Sequence, residues 1–176
     1  MHGFRRWIRL VETITAYHGS AMGAPSFTMG HTGDNSHTFG SYQSTRHGIF
    51  FSDNPDFAGL YGKVGKYTLH VRRTLDFDAD RMDTLYKFID SLDAFSPAER
   101  PIWLSARNVV LGHWQPWQLF EDELGAKFVA YLQSIGYDSV SFQEFNLDDD
   151  EQAHQSHTIV VLDPKLVHVV SSGSRY

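Results

Sequence analysis

Gly48-Ile-Phe-Phe-Ser-Asp-Asn-Pro-Asp-Phe-Ala-Gly-Leu-Tyr61 holds a complete strand–turn–helix in fourteen residues. The apolar run Gly48–Phe51 predicts a short strand. Ser52, Asp53 or Asn54 then supplies a side-chain acceptor for the free N–H groups of a helix, and Pro55 suits its first turn. The helix should run from Pro55 to Tyr61, with Gly62 as its stop. If the helix folds back on the strand, Phe50 and Tyr61 border one slot. A flat ring held there gains roughly 0.5–1.5 kcal/mol per aromatic contact beyond area burial.

Upstream, residues 13–18 (TITAYH) read as a strand ending at Gly19-Ser20. Residues 19–47 are rich in Gly, Ser, Thr and His and predict a long loop, a feature that in compact domains is often functional. Downstream, Lys66–Val71 alternates as a strand. Leu85, Phe88, Ile89 and Leu92 fall at helical spacing, and Ser96-Pro-Ala-Glu99 has the form of a capping box that opens another helix. Phe120, Leu124, Phe128, Leu132 and Ile135 mark an amphipathic helix over 119–135, ended by Gly136. Strands are predicted at 138–142, 158–162 and 166–170, with a polar, mobile loop at 146–157. Many short strands and three or four helices in no βαβα order favour an α+β class. No Gly-x-Gly-x-x-Gly or P-loop pattern is present, which removes the main support for Rossmann and nucleotide-kinase readings.

The 176 residues suit one domain over 1–176. Net charge is −6, which argues against a broad electrostatic grip on phosphate backbones. The absence of cysteine excludes disulfides and thiolate metal sites and fits a cytoplasmic setting. No apolar run approaches the ~18 residues of a membrane span, and MHGFRRWIRLVE is too interrupted for a signal peptide. No membrane partner is expected.

Tyr17-His18-Gly19-Ser20 stands at a predicted strand end. A histidine there can turn both ring nitrogens to a ligand's hydroxyls. The following glycine lets a flat carboxamide approach backbone N–H and C=O groups. Together with Gly48–Tyr61, this combination resembles the ADP-ribosyltransferase superfamily, in the branch that includes poly(ADP-ribose) polymerases and diphtheria toxin. That branch has a strand ending in aromatic-His-Gly-Ser/Thr, then Gly-Ile-Tyr-Phe-Ala-Asp and a helix carrying a stacking Tyr. The Gly48-to-Tyr61 spacing agrees without a gap. Gly136-Tyr-Asp-Ser-Val140 and Ile159-Val-Val-Leu-Asp-Pro164 are similar to the endings of short phage and bacterial members.

The resemblance implies two small, twisted, antiparallel-rich sheets facing each other, flanked by helices, with an NAD cleft between them. It implies NAD as co-substrate, bound by Tyr17, His18, Gly19, Ser20, Gly48, Phe50, Phe51, Ser52 and Tyr61. In that reading His18 holds a ribose hydroxyl, the Gly19 backbone holds the carboxamide, and Tyr61 stacks on nicotinamide. Ser52 and Asp53 shape the floor or cap the helix. Two departures stand out. The first stacking tyrosine is Phe50 here, and the strand the family opens with a catalytic glutamate has His157 and Thr158 in that neighbourhood.

The reaction needs a carboxylate, because breaking the nicotinamide–ribose bond passes through a cation-like sugar. Glu144, at the exit of the strand after Gly136-Tyr137, is the chosen acid. Asp148, Asp149, Asp150 and Glu151 are the fallbacks. The catalytic set is thus His18, Tyr61 and Glu144. His31, His37, His47, His154 and His157 lack zinc-type spacing, so no metal is expected. Trp103, Trp114 and Trp117 read as core or groove residues. The expected function is mono-ADP-ribosylation of a macromolecular acceptor, protein in preference to nucleic acid. By analogy the chain is a phage or bacterial effector, acting in the host cytoplasm in that case. An NAD glycohydrolase and a non-catalytic NAD or ADP-ribose binder share the same visible features.

Overall fold

A computed structural model describes residues 11–20, 31–34, 43–112, 115–147 and 153–170. Among these, helices and strands are mixed in the α+β manner. Strand β1 is Glu12–Ser20, β2 His31–Asp34, β3 Gln43–Arg46 and β4 Ile49–Ser52. Helix α1 (Pro55–Gly59) leads to β5 (Lys63–Val71) and β6 (Thr74–Asp76). Helices α2 (Phe77–Asp90) and α3 (Arg100–Val110) follow, then a 3-10 turn at Pro116–Phe120 and helix α4 (Asp122–Ser134). The chain closes with β7 (Ser139–Leu147), β8 (Ala153–Val161), a 3-10 turn at Pro164–Leu166 and β9 (Val167–Val169). None of the described helices is long and apolar enough to cross a membrane.

Seven strands share one sheet in the order β6-β7-β8-β4-β1-β5-β9, and β2 with β3 forms a separate ribbon. This replaces the expected pair of small sheets. The sheet is nevertheless weakest at its middle. β1 pairs with β5 from Glu12↔Val71 to Ser20↔Lys63, but meets β4 only at Tyr17↔Ser52. One wing is therefore β6-β7-β8-β4, the other β1-β5-β9, with a seam between them.

Alternation along the strands gives each wing its core. Val140, Phe142 and Val160 face the helices and join Leu85, Phe88, Phe120, Phe128 and Leu132 in the larger cluster. Ile49, Phe51, Ile159 and Val161 point the other way and cluster with Ala16, Tyr67, Leu69 and Val71 of the second wing. Each such side chain contributes about 1.5–3 kcal/mol of burial. The second core thus draws on both wings, across the seam.

Three local readings need correction. Residues 19–47 are not one loop, since β1 runs to Ser20 and β2 pairs with β3 from His31↔Arg46 to Asp34↔Gln43. The polar loop at 146–157 is largely a hairpin, with Glu144↔Ser156 and Asn146↔His154 in register. Neither paired stretch shows an apolar alternation that would mark it as a strand. The Ser96–Glu99 capping box does not form. Glu99 accepts instead from Asp93 N at 2.8 Å and Lys127 Nζ at 2.7 Å, and the helix begins at Arg100.

Candidate active site

β1 ends against the turn that follows β4, and the two motifs meet there. The His18 Nδ1 donates to the Phe50 carbonyl at 2.8 Å. A carbonyl only accepts, so Nδ1 carries the proton of this bond. The imidazole tilts against Phe51 at 5.6 Å and meets Tyr67 edge-on at 6.3 Å. Burial raises the Tyr67 hydroxyl pKa, so this edge of the site stays neutral.

Gly19 makes the second junction. A Cβ placed on it would lie 1.8 Å from the Ala58 carbonyl oxygen and 3.2 Å from Tyr61 Cβ. Only a residue with no side chain lets β1 pass this close to α1. Tyr61 sits in the turn just after the helix, with its N–H on Ala58 O and its ring 5.9 Å from Phe57. Phe50 thus accepts from the Tyr17–Ser20 segment through its carbonyl, and Tyr61 follows the helix against which Gly19 passes closely. Gly48 adopts φ 133°, and a Cβ there would lie 2.5 Å from Val160 Cγ1.

The helix cap is Asn54, whose side chain accepts from Asp56 N and Phe57 N. Ser52 bonds Asn54 at both backbone N–H and carbonyl, and shares a 2.6 Å hydrogen bond with Ser156. Asp53 reaches across to β8 and accepts from His157 N at 3.0 Å. These two residues tie the α1 entry to β8 rather than cap the helix.

Ser52, Ser156, Thr158 and Glu144 occupy positions that alternate to the same face as Phe50. The register opposes Glu144 to Ser156, and its Oε2 accepts from Thr158 Oγ1 at 2.7 Å. Glu144 thus lies beside Thr158 on the Phe50 face, whereas the His18 ring lies against Phe51 and Tyr67 on the other face. Burial pushes this carboxyl above the usual range, while the Thr158 hydroxyl and the charge of Arg46 pull it back. The pKa of Glu144 is raised in the folded state, so folding favours its protonated form. Any stability this group confers is present below the unfolded pKa and is lost as pH rises through the folded one. Glu144→Gln should therefore raise Tm at pH 7, with the gain shrinking toward pH 4. Melting curves at both pH values check this.

Sequence reasoning did not single out Arg46, which packs at this face. Its guanidinium lies 5.2 Å from the Phe50 ring centroid and 5.8 Å from that of Trp117. It belongs to the polar strand β3, where nothing in the pattern singles it out. Phe50 also meets Phe120 edge-on at 5.6 Å. Trp103 and Trp117 pack against the helical core, as expected. Beside the seam, Gln143, Gln155 and His157 line an open polar cavity of about 460 Å³ with Asp53 and Asn54. Asp148–Glu151, His37 and Trp114 lie outside the described residues, and the side chains of His31 and His154 are likewise not described.

No family model matches the chain, and no curated protein or solved structure matches it.

Proposed function

We propose that the chain cleaves NAD at the nicotinamide–ribose bond and transfers ADP-ribose to a protein side chain, in an ADP-ribosyltransferase-like fold with its cleft along the seam. The observation that carries this reading is the Glu144–Thr158 contact, at 2.7 Å on the strand pair beside β4. The reading takes Glu144 for the acid, since residues 157 and 158 carry none. The His18–Phe50 bond and the Gly19–Ala58 approach add support, because they bring the other two segments together.

In this mechanism nicotinamide stacks on Phe50 and Tyr61, and its carboxamide meets the Gly19 backbone. His18 holds one ribose hydroxyl from the Phe51 side of the seam, and Glu144 reaches the other from the Phe50 side. As the C–N bond breaks, nicotinamide leaves with the electron pair and C1′ becomes cationic. The Glu144 carboxylate strengthens its bond to the 2′-hydroxyl as that charge grows. The acceptor then attacks C1′ and gives up a proton. It enters beside the β7–β8 hairpin, where the polar cavity opens.

Incubation with NAD labelled in the adenine half tests this. The expected result is free nicotinamide with label on protein. Nicotinamide with free ADP-ribose would mean hydrolysis instead. Bound but intact NAD would reject the catalytic reading.

A further inference from the structure

We propose that His70 and His168 form a divalent transition-metal site on the outer face of the β1-β5-β9 wing. Along β5, Tyr67, Leu69 and Val71 turn into the second core, so His70 alternates to the opposite face. On β9, Val167 packs against that core, and His168 turns outward with His70. The register pairs His168 with Thr68, two residues along from His70, which makes the histidines diagonal neighbours on antiparallel strands. Their rings meet with centroids 4.6 Å apart at an interplanar angle of 71°. Two imidazoles on one ion, with metal–nitrogen bonds of about 2.0–2.1 Å, hold their centroids about 4.5–5 Å apart. The pair already has the separation that shared coordination requires.

The surroundings fit the same use. Thr13 stands opposite His70 in the β1–β5 register, and its Oγ1 lies 3.3 Å from His70 Nδ1. With Nδ1–H donating to that hydroxyl, Nε2 keeps its lone pair for a metal, and the ring is held in one orientation. His70 is half-buried and His168 exposed, so an ion arrives from solvent and keeps waters in its remaining positions. Among the described residues no group of three metal-ligating side chains gathers, so the protein supplies two ligands. Imidazoles without carboxylates favour zinc, nickel or copper over magnesium or calcium. Bound there, the ion joins β5 to the edge strand β9, which pairs with it at three positions. The two histidines are far apart in the chain, so no zinc-type spacing reveals them. The site takes no residue from the proposed NAD cleft.

The test is a zinc chloride titration of the isotope-labelled full chain, followed by NMR of the histidine rings, each assigned by correlation to its own backbone. The ring signals of His70 and His168 should shift together on one curve with one midpoint. His70→Gln and His168→Gln should each weaken the zinc response of the remaining histidine by about tenfold or more, since losing a ligand costs at least what losing its outer-shell partner does. Separate midpoints for the two rings in wild type would overturn the proposal. So would an unchanged midpoint for one ring when the other is replaced, or no shift of either at millimolar zinc. The wild-type curves decide between shared and separate binding even where a variant fails to fold.

Discussion

Glu144→Gln should lower nicotinamide release by about 100-fold or more while leaving NAD affinity within a few fold. The magnitude follows from losing one group whose interaction grows as charge develops, which typically costs 10²–10³ in rate. The amide oxygen of glutamine still accepts the Thr158 hydroxyl, so the local packing is retained. What disappears is the negative charge that the proposed mechanism sets beside the ribose. Binding is spared because the interaction matters chiefly in the transition state. The raised pKa of Glu144 adds a second signature. Turnover in the wild type should climb through a pKa above the ordinary glutamate range as the carboxylate ionises, and the variant should lose that limb. A pH–rate profile of both proteins checks it. Unchanged turnover in the variant would reject the assignment of the acid.

Gly19→Ala should have the next largest effect, and on structure first. The added methyl would sit 1.8 Å from the Ala58 carbonyl oxygen and 2.9 Å from its carbon, both backbone atoms. A side chain could turn aside, but this backbone is held by the Asn54 cap and by the Tyr61 and Leu60 turn bonds. Either β1 or α1 must therefore move. Overpacking of this kind costs typically about 1–3 kcal/mol, and a clash with main chain belongs at the top of that range. The seam should widen, separating His18 from Phe50 and removing NAD binding even in the molecules that stay folded. Thermal melting and NAD titration measure the two effects. A variant with wild-type melting and affinity would show that the close approach of β1 to α1 is not needed.

The parts of the fold that were legible in the sequence are those where chemistry acts locally. Ile49–Ser52 and Pro55–Gly59 were readable because an apolar run met an Asn-Pro cap, and the observed bounds follow it closely. Helix α4 was readable because its apolar residues repeat at helical spacing over three turns. β2, β3 and the outer half of the β7–β8 hairpin were not readable. Gln43-Ser-Thr-Arg46 and Ala153-His-Gln-Ser156 show no apolar alternation, so the two-residue period carries no signal. The capping box at Ser96 misled for a different reason. Glu99 found a lysine on another helix and a distant backbone N–H, and tertiary partners of that kind leave no trace in spacing.

The candidate site divides in the same way. The meeting of His18 and Gly19 with the Phe50 and Ala58 backbone joins two motifs that the sequence had singled out. Glu144 was inferred from need and chain position, and its contact with Thr158 depends on the β7–β8 register, which a sequence fixes only through pairing energies spread over the whole hairpin. Arg46 was invisible for want of any local pattern. The seam is a long-range feature too, since it exists because β1 and β4 diverge after one pair.

A crystal structure with a non-hydrolysable NAD analogue, its nicotinamide ribose oxygen replaced by carbon, tests the central claim most directly. The account predicts the pyridine ring between Phe50 and Tyr61, its carboxamide on the Gly19 backbone, and the Glu144 carboxylate on the ribose 2′-hydroxyl. A ligand bound away from the seam, or a ribose out of reach of Glu144, would contradict it.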